Sequence, residues 1–426
     1  MAGTPGTTGT TAQTVTATWR AESARLVGAL TRMTRDLDLA EDLAQEALLS
    51  ALESWPERGI PENPAAWLMT TAKRRAVDTF RRAETLRLKT AEIGRALSEE
   101  DGMPDLSTQV DFIEGDVLRL IFLSCHPQLT PESRAALTLR LVGGLTTAEI
   151  ARGFLAAETA MGQRISRAKK TLSEAGVSFD LPVGDERIAR LDDVMAVIYL
   201  IFNEGYTATA GDDWMRPGLT DEAIRLARML ADLAPDEPEV HGLQALLELQ
   251  ASRGAARVDA EGRPVLLDDQ DRSRWDELLI RRGLTALQRA ERLAARGKPV
   301  GRYYLQAAIA SCHARAATAE ATDWRAIARL YDVLAEAAPG PVVEVNRAVA
   351  HGRATDPAAG LAVLDALPAG ALAGSHLLPS VRGDLLARAG RHAEAAASFR
   401  EAAALTRNTT EQVVLLRRAQ DSDRSI

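Results

Sequence analysis

Apolar positions recur at intervals of three and four along nearly the whole chain, and strand-length alternations of Val, Ile and Thr are rare. That period predicts an all-α protein. Its first helical segments are Trp19 to Thr34 and Asp36 to Trp55. In the second, Leu37, Ala40, Leu43, Ala44, Ala47 and Leu48 make one apolar stripe. Pro56 to Pro64 reads as a turn, with Asn63 capping a new helix that has Pro64 in its first turn. Phe112 to Cys125 is densely apolar. Thr130 is placed to cap a helix that starts at Pro131, continues to Val142 and stops at Gly143-Gly144.

The next stretch pairs two helices. Thr146 or Thr147 caps the first, 153–157 supplies the turn, and the second runs from Ala157 to Thr171 with Arg164, Arg167, Lys169 and Lys170 against the single acid Glu158. Helix, short turn and basic second helix are the elements of a DNA-reading helix-turn-helix, although many helical hairpins also end on a basic helix. Gly162 inside that helix suggests a close backbone approach to DNA or protein.

From Arg187 onward the pattern is a long helical array. Gly383, Leu386, Ala395, Phe399 and Ala402 stand at tetratricopeptide offsets, and Ala227, Pro235, Gly242 and Ala245 echo them more weakly. An Ala-rich bundle gives a similar pattern. Ala256 to Asp271 interrupts the array as a hairpin or extended loop. Its Asp268, Asp269 and Asp271 read as solvated acids, because no closing Glu completes a calcium loop. Phe202 to Tyr206 reads as a helix stop with packing duties. The expected layout is a disordered tail over 1–18, a helical domain over 19–97, a linker over 98–111, a helix-turn-helix domain over 112–177 and the array over 185–426.

Composition narrows the classes. The 426 residues exceed one compact core. Two distant cysteines, Cys125 and Cys312, argue for buried thiols in a reducing compartment rather than disulfides or a zinc module. No apolar run of about 18 residues is present to span a bilayer, and the N-terminal stretch lacks the basic head and apolar core of a signal peptide. The six histidines fall in different segments, with no HExxH pair and no phosphate loop. No enzyme, metal or cofactor is therefore expected.

Charge supplies the functional signal. The net charge is only −8, but it is segregated. The segment 36–55 holds six acids and no Lys or Arg, whereas 73–95 holds eight basic residues against three acids. Adjacent helices of opposite sign suggest two different partners.

With these motifs the first 175 or so residues resemble an extracytoplasmic-function (group IV) sigma factor of bacterial RNA polymerase. Asp38 to Ala47 is similar to the family's core-binding helix. Ala66-Trp67-Leu68 with Asp78, Arg81 and Arg82 is similar to its promoter-melting helix, and Leu145 to Lys170 to its −35 reader. The array resembles the tetratricopeptide-like extension of one subgroup. The resemblance implies a cytoplasmic protein that binds core RNA polymerase and promoter DNA, with no membrane partner. It would dock polymerase through Asp38, Glu41, Asp42, Gln45 and Glu46. It would hold the opened −10 strand through Trp67, Arg74, Arg75, Asp78, Arg81 and Arg82, with Trp67 either stacked on a base or in the core. Arg74 stands where the family commonly has Asn. The −35 contacts would come from Ala157, Glu158, Thr159, Met161, Arg164, Arg167, Lys169 and Lys170. The array is expected to regulate, recruit a protein signal or brace the modules. The competing reading is a helical-repeat scaffold with a non-sigma N-terminus.

Overall fold

The computed structural model describes residues 6–93, 113–154, 156–182, 184–206, 217–259, 265–406 and 409–425. Among them are eighteen α-helices, three short 3-10 turns and no β-strand. The chain divides into two compact units, Met1–Val197 and Ile198–Ile426. The linker expected over 98–111 lies outside the described residues, as do the side chains of Arg87, Lys89 and Arg95.

The first unit holds α1 (Gly6–Thr34), α2 (Leu37–Arg58), α3 (Pro64–Ile93), α4 (Ile113–Ser124), α5 (Pro131–Leu141), α6 (Thr147–Gly153), α7 (Glu158–Glu174) and the first part of α8 (Gly184–Tyr206). The stretch expected as a disordered tail is helical from Gly6. Thr11 and Val15 are buried and continue, at steps of four, the inner stripe of Ser23, Val27 and Thr31. The weak helix preference of Thr hides this face in the sequence. Asp36 caps α2 by accepting from the amides of Asp38 and Leu39. Against expectation, α2 runs through Pro56 to Arg58. A proline in the last turn removes only one donor, and Gly59, at φ 84°, closes the end by donating to Trp55 O at 3.0 Å.

Two glycines let the N-terminal helices and the later ones share one core. A Cβ at Gly28 of α1 would lie 3.0 Å from the Asp116 carbonyl oxygen on α4. One at Gly144, which has φ +68°, would lie 2.5 Å from Ser23 Oγ. Trp19 Nε1 donates to Gly144 O at 3.1 Å across the same contact. Asp116 is fully buried, and Arg32 and Arg119 each reach it at 3.0 Å. A carboxylate this deep is tolerable only because two guanidinium groups hold it.

The second unit continues with α9 (Pro217–Leu233), α10 (Pro238–Ala251), α11 (Glu277–Ala294), α12 (Arg302–Arg315), α13 (Trp324–Ala337), α14 (Pro341–Ala354), α15 (Pro357–Asp365), α16 (Leu377–Arg388), α17 (His392–Leu405) and α18 (Thr409–Asp423). Successive helices pack as hairpins. Gly383, Leu386, Ala395, Phe399 and Ala402 meet in one buried cluster with Leu415 and Ala419 of α18. A Cβ on Gly383 would lie 2.8 Å from the Phe399 ring, so the glycine is the seat of that aromatic. Gly242 instead serves the crossing of α10 over α12, where a Cβ would lie 2.6 Å from Tyr304 N.

Within the described part of the interrupting stretch Val265 N donates to Arg257 O at 2.8 Å, and short 3-10 turns follow. Asp268 departs from the solvated reading, because Arg353 and Arg388 both donate to its Oδ2. Burial opposes its charge, but the two arginines outweigh that and hold the carboxyl below the usual range. At Phe202 to Tyr206 the rings of Phe202 and Tyr206 stack at 5.2 Å. Gly205 there admits the start of α9, since a Cβ would lie 2.5 Å from Thr220 N. Both cysteines are free, and burial pushes the Cys125 thiol up to about 11. No helix among the described residues is long and apolar enough to cross a membrane.

Candidate functional site

The acid face of α2 follows from its stripe. Ala40, Leu43, Ala44, Ala47, Ala51 and Trp55 are buried, which turns Asp38, Asp42 and Glu46 outward. Glu41 does not follow them. It is 5% exposed, and its carboxylate is enclosed by charge partners from later helices. Arg140 Nε donates to Oε1 at 2.6 Å, Gln45 donates to the same oxygen at 2.9 Å, and Lys169 Nζ lies 2.7 Å from Oε2. Lys169 also donates to Asp38 Oδ1 at 2.8 Å. Burial works against the Lys169 charge, yet Glu41 and Asp38 outweigh it and hold the ammonium above its ordinary value.

Among the described side chains of α3 the buried ones are Leu68, Ala72 and Ala76, again at steps of four. Arg74, Asp78, Arg81 and Arg82 are consequently exposed. Arg75 bridges back to α2, donating to Glu46 Oε2 at 2.6 Å and Ser50 Oγ at 2.7 Å. Trp67 is half-buried and meets the buried Trp55 edge-on, with centroids 5.6 Å apart. That edge contact is a packing role for one side of the ring.

The helix-turn-helix is built as its sequence predicts. Thr146 accepts from Glu149 N while Glu149 accepts from Thr146 N, a reciprocal capping box at the start of α6. Burial opposes the Glu149 charge; the Thr146 bonds and Arg20, at 2.7 Å, outweigh it and keep its carboxyl low. Met161, Ile165, Ala168 and Leu172 form the buried stripe of α7. Met161 is therefore a core residue at 1% exposure, which corrects its assignment to the DNA face. Lys169 is likewise turned toward α2 rather than outward. Glu158, Thr159, Gln163, Ser166, Arg167 and Lys170 are exposed, with Ala157 at the uncapped start and Arg164 half-buried. Gly162 admits no close protein approach, since a Cβ would rest 3.8 Å from Thr147 Cγ2.

Arg140 was missed in the sequence. Its signal is a lone cation among the buried Ala135, Ala136, Leu137, Thr138, Leu139 and Leu141 of α5, where a charge must be matched.

The first unit is helical throughout its described elements, and its α6 and α7 pair as a capped helix-turn-helix of the kind that reads DNA. Residues 19–85 match the Sigma-70 region 2 family, residues 119–172 match Sigma-70 region 4, and residues 190–291 match a family of unknown function, DUF6596. The chain is 32% identical over 152 residues to the ECF RNA polymerase sigma factor SigL of Mycobacterium tuberculosis, covering 34% of this chain and 82% of that one. It is 30% identical over 151 residues to SigK of Mycobacterium bovis, covering 35% and 78%. A Rhizobium meliloti protein described as uncharacterized is 43% identical over 394 residues, 90% of each chain. No solved structure matches. The chain belongs to the ECF family of RNA polymerase sigma factors and carries a C-terminal extension. Sigma factors are not enzymes.

Proposed function

We propose that this sigma factor works in the cytoplasm. It docks core RNA polymerase through the outward acids of α2 and engages promoter DNA through the exposed cations of α3 and α7. The observation that carries the reading is the separation of sign. Asp42 and Glu46 face out from one helix, and Arg74, Arg82, Arg167 and Lys170 face out from two others. Arg81, also exposed on α3, joins the group proposed for the −10 strand. Acids on α2 steer and orient a basic polymerase surface, while α3 and α7 supply phosphate contacts. The start of α7 adds unpaired backbone donors, because Ala157 offers no side-chain cap to the first-turn amides. Transcription from a promoter with purified core enzyme tests this. Initiation that depends on the chain supports the reading, and its absence refutes it.

In the folded arrangement the polymerase-side and DNA-side residues are tied to each other. Asp38 and Glu41 hold Lys169, Glu41 holds Arg140, and Glu46 holds Arg75. We read this as a resting arrangement in which the acids of α2 and cations of α3, α5 and α7 restrain one another. The C-terminal unit is proposed to regulate that activity in response to a protein or small-molecule signal. Ending the chain at Val197, where the first unit closes, tests the role; a cut at 184, before the expected array, is too early. The earlier cut would also remove Arg190 and Asp193, which bind Phe122 O and Arg134 within the first unit. A shortened chain with unchanged transcription excludes regulation by the extension.

A further inference from the structure

The C-terminal unit contains a cavity of about 310 Å³ among α8, α10, α12, α13 and the connector before α11. One wall is apolar, made by Leu246, Leu249 and Ile309. The rest of the lining is largely polar and incompletely satisfied. Trp275 is 5% exposed, and its Nε1–H has no hydrogen-bond partner; His313 Nδ1 is buried and equally unpartnered. A buried indole N–H without an acceptor is uncommon; Trp55 and Trp324 share the feature, but Trp275 lines a cavity, where a bound acceptor would satisfy it.

Cations outnumber acids around these donors: Arg253, Arg272 and Arg353 act on His313 against the single acid Asp268. Arg253 lines the cavity, and its hydrogen bonds go to neutral oxygens, Tyr206 Oη at 2.8 Å and Gln250 Oε1. Among the described lining residues there is no Asp or Glu. Beneath them Arg272 lies 4.9 Å from the Trp275 ring and donates to His313 O at 2.7 Å. Burial, Arg253 and Arg272 push the His313 imidazole down to about 4, so it stays neutral and adds no competing cation.

We propose that this cavity binds a small organic carboxylate with an apolar body. The carboxylate would pair with the planar Arg253 guanidinium and accept from Trp275 Nε1, while the body lies against Leu246, Leu249 and Ile309. A doubly charged phosphate fits less well, because Arg253 is the one arginine or lysine among the described lining residues. The inference extends the regulatory reading by giving the extension a class of signal, but its test needs no polymerase.

Full-length protein is titrated calorimetrically with butyrate, hexanoate, benzoate and phenylacetate, with their amides and with inorganic phosphate. At least one carboxylate should bind saturably with one site per chain, and its amide about tenfold or more weakly. Arg253→Gln should weaken that carboxylate about tenfold and Trp275→Phe several-fold, with helical circular dichroism and cooperative melting retained. Absence of saturable carboxylate binding, equal binding of acid and amide, preference for phosphate, or binding untouched in both folded variants would overturn the proposal. Transcription with and without the bound carboxylate is then read separately. An effect supports the regulatory reading. Binding without an effect leaves the site standing and removes its regulatory role.

Discussion

Lys169 Nζ stands 2.7 Å from Glu41 Oε2 and 2.8 Å from Asp38 Oδ1, so the helix expected to hold DNA is ionically joined to the helix expected to hold polymerase. The Lys169 side chain is 16% exposed and the Glu41 side chain 7%, which makes this a half-desolvated pair rather than a surface one. Glu41→Gln should destabilise the first unit by about 1–3 kcal/mol, since it leaves Arg140 and Lys169 with an amide in place of a carboxylate. A urea double-mutant cycle with Lys169→Met should show coupling of about 1 kcal/mol or more, and additivity would sink the pairing. Because the folded Lys169 value is raised, its contribution is full below its ordinary value of 10.5 and fades as pH rises through the higher folded one.

Arg75 and Glu46 are both about half exposed, and their 2.6 Å pair should contribute little on its own. Reversing both charges together should change stability by no more than about 0.5 kcal/mol by urea unfolding. Glu46 is thus available to a partner at small cost, and a larger loss would mean that it is held structurally.

His313 gives the second unit an acid limit. Its folded value near 4 lies below the ordinary 6.5, so the contribution is present above pH 6.5 and is lost as pH falls toward 4. The full loss is roughly 3 kcal/mol, from the size of the shift. Thermal melts of the chain between these limits should show it, and His313→Gln should flatten the slope. An unchanged slope in that variant would assign the acid sensitivity elsewhere.

Gly383→Ala places a methyl 2.8 Å from the Phe399 ring and should cost about 1–3 kcal/mol of stability in the second unit. Phe399→Leu in the same chain should recover part of it. A melting temperature unmoved by Gly383→Ala would mean that the ring has room the structure denies it.

Much of this architecture was legible because local signals agreed. Asn63, Thr130 and Thr146 each accept the amide that their capping role requires, from Ala66, Ser133 and Glu149. The stripe at 161, 165, 168 and 172 was only partly legible: a methionine near the start of a basic helix reads equally as a contact or a core residue, and only the packing of α7 decides. Long-range matching was illegible. Glu41 and Arg140 are 99 residues apart, and no periodicity within either helix says that they meet. The narrow inner face of α18, with Leu415, Ala419 and Ser422 buried, also left too weak a period to read.

The most direct test of the central claim uses acids that the folded unit does not need. Asp42 is exposed, and Glu46 holds only the weak pair with Arg75. Affinity of the full chain for core RNA polymerase is measured with Asp42→Lys and Glu46→Lys combined. The account predicts a loss of about tenfold or more that deepens at low salt, with the melting temperature little changed. Binding equal to wild type at every salt concentration would contradict it.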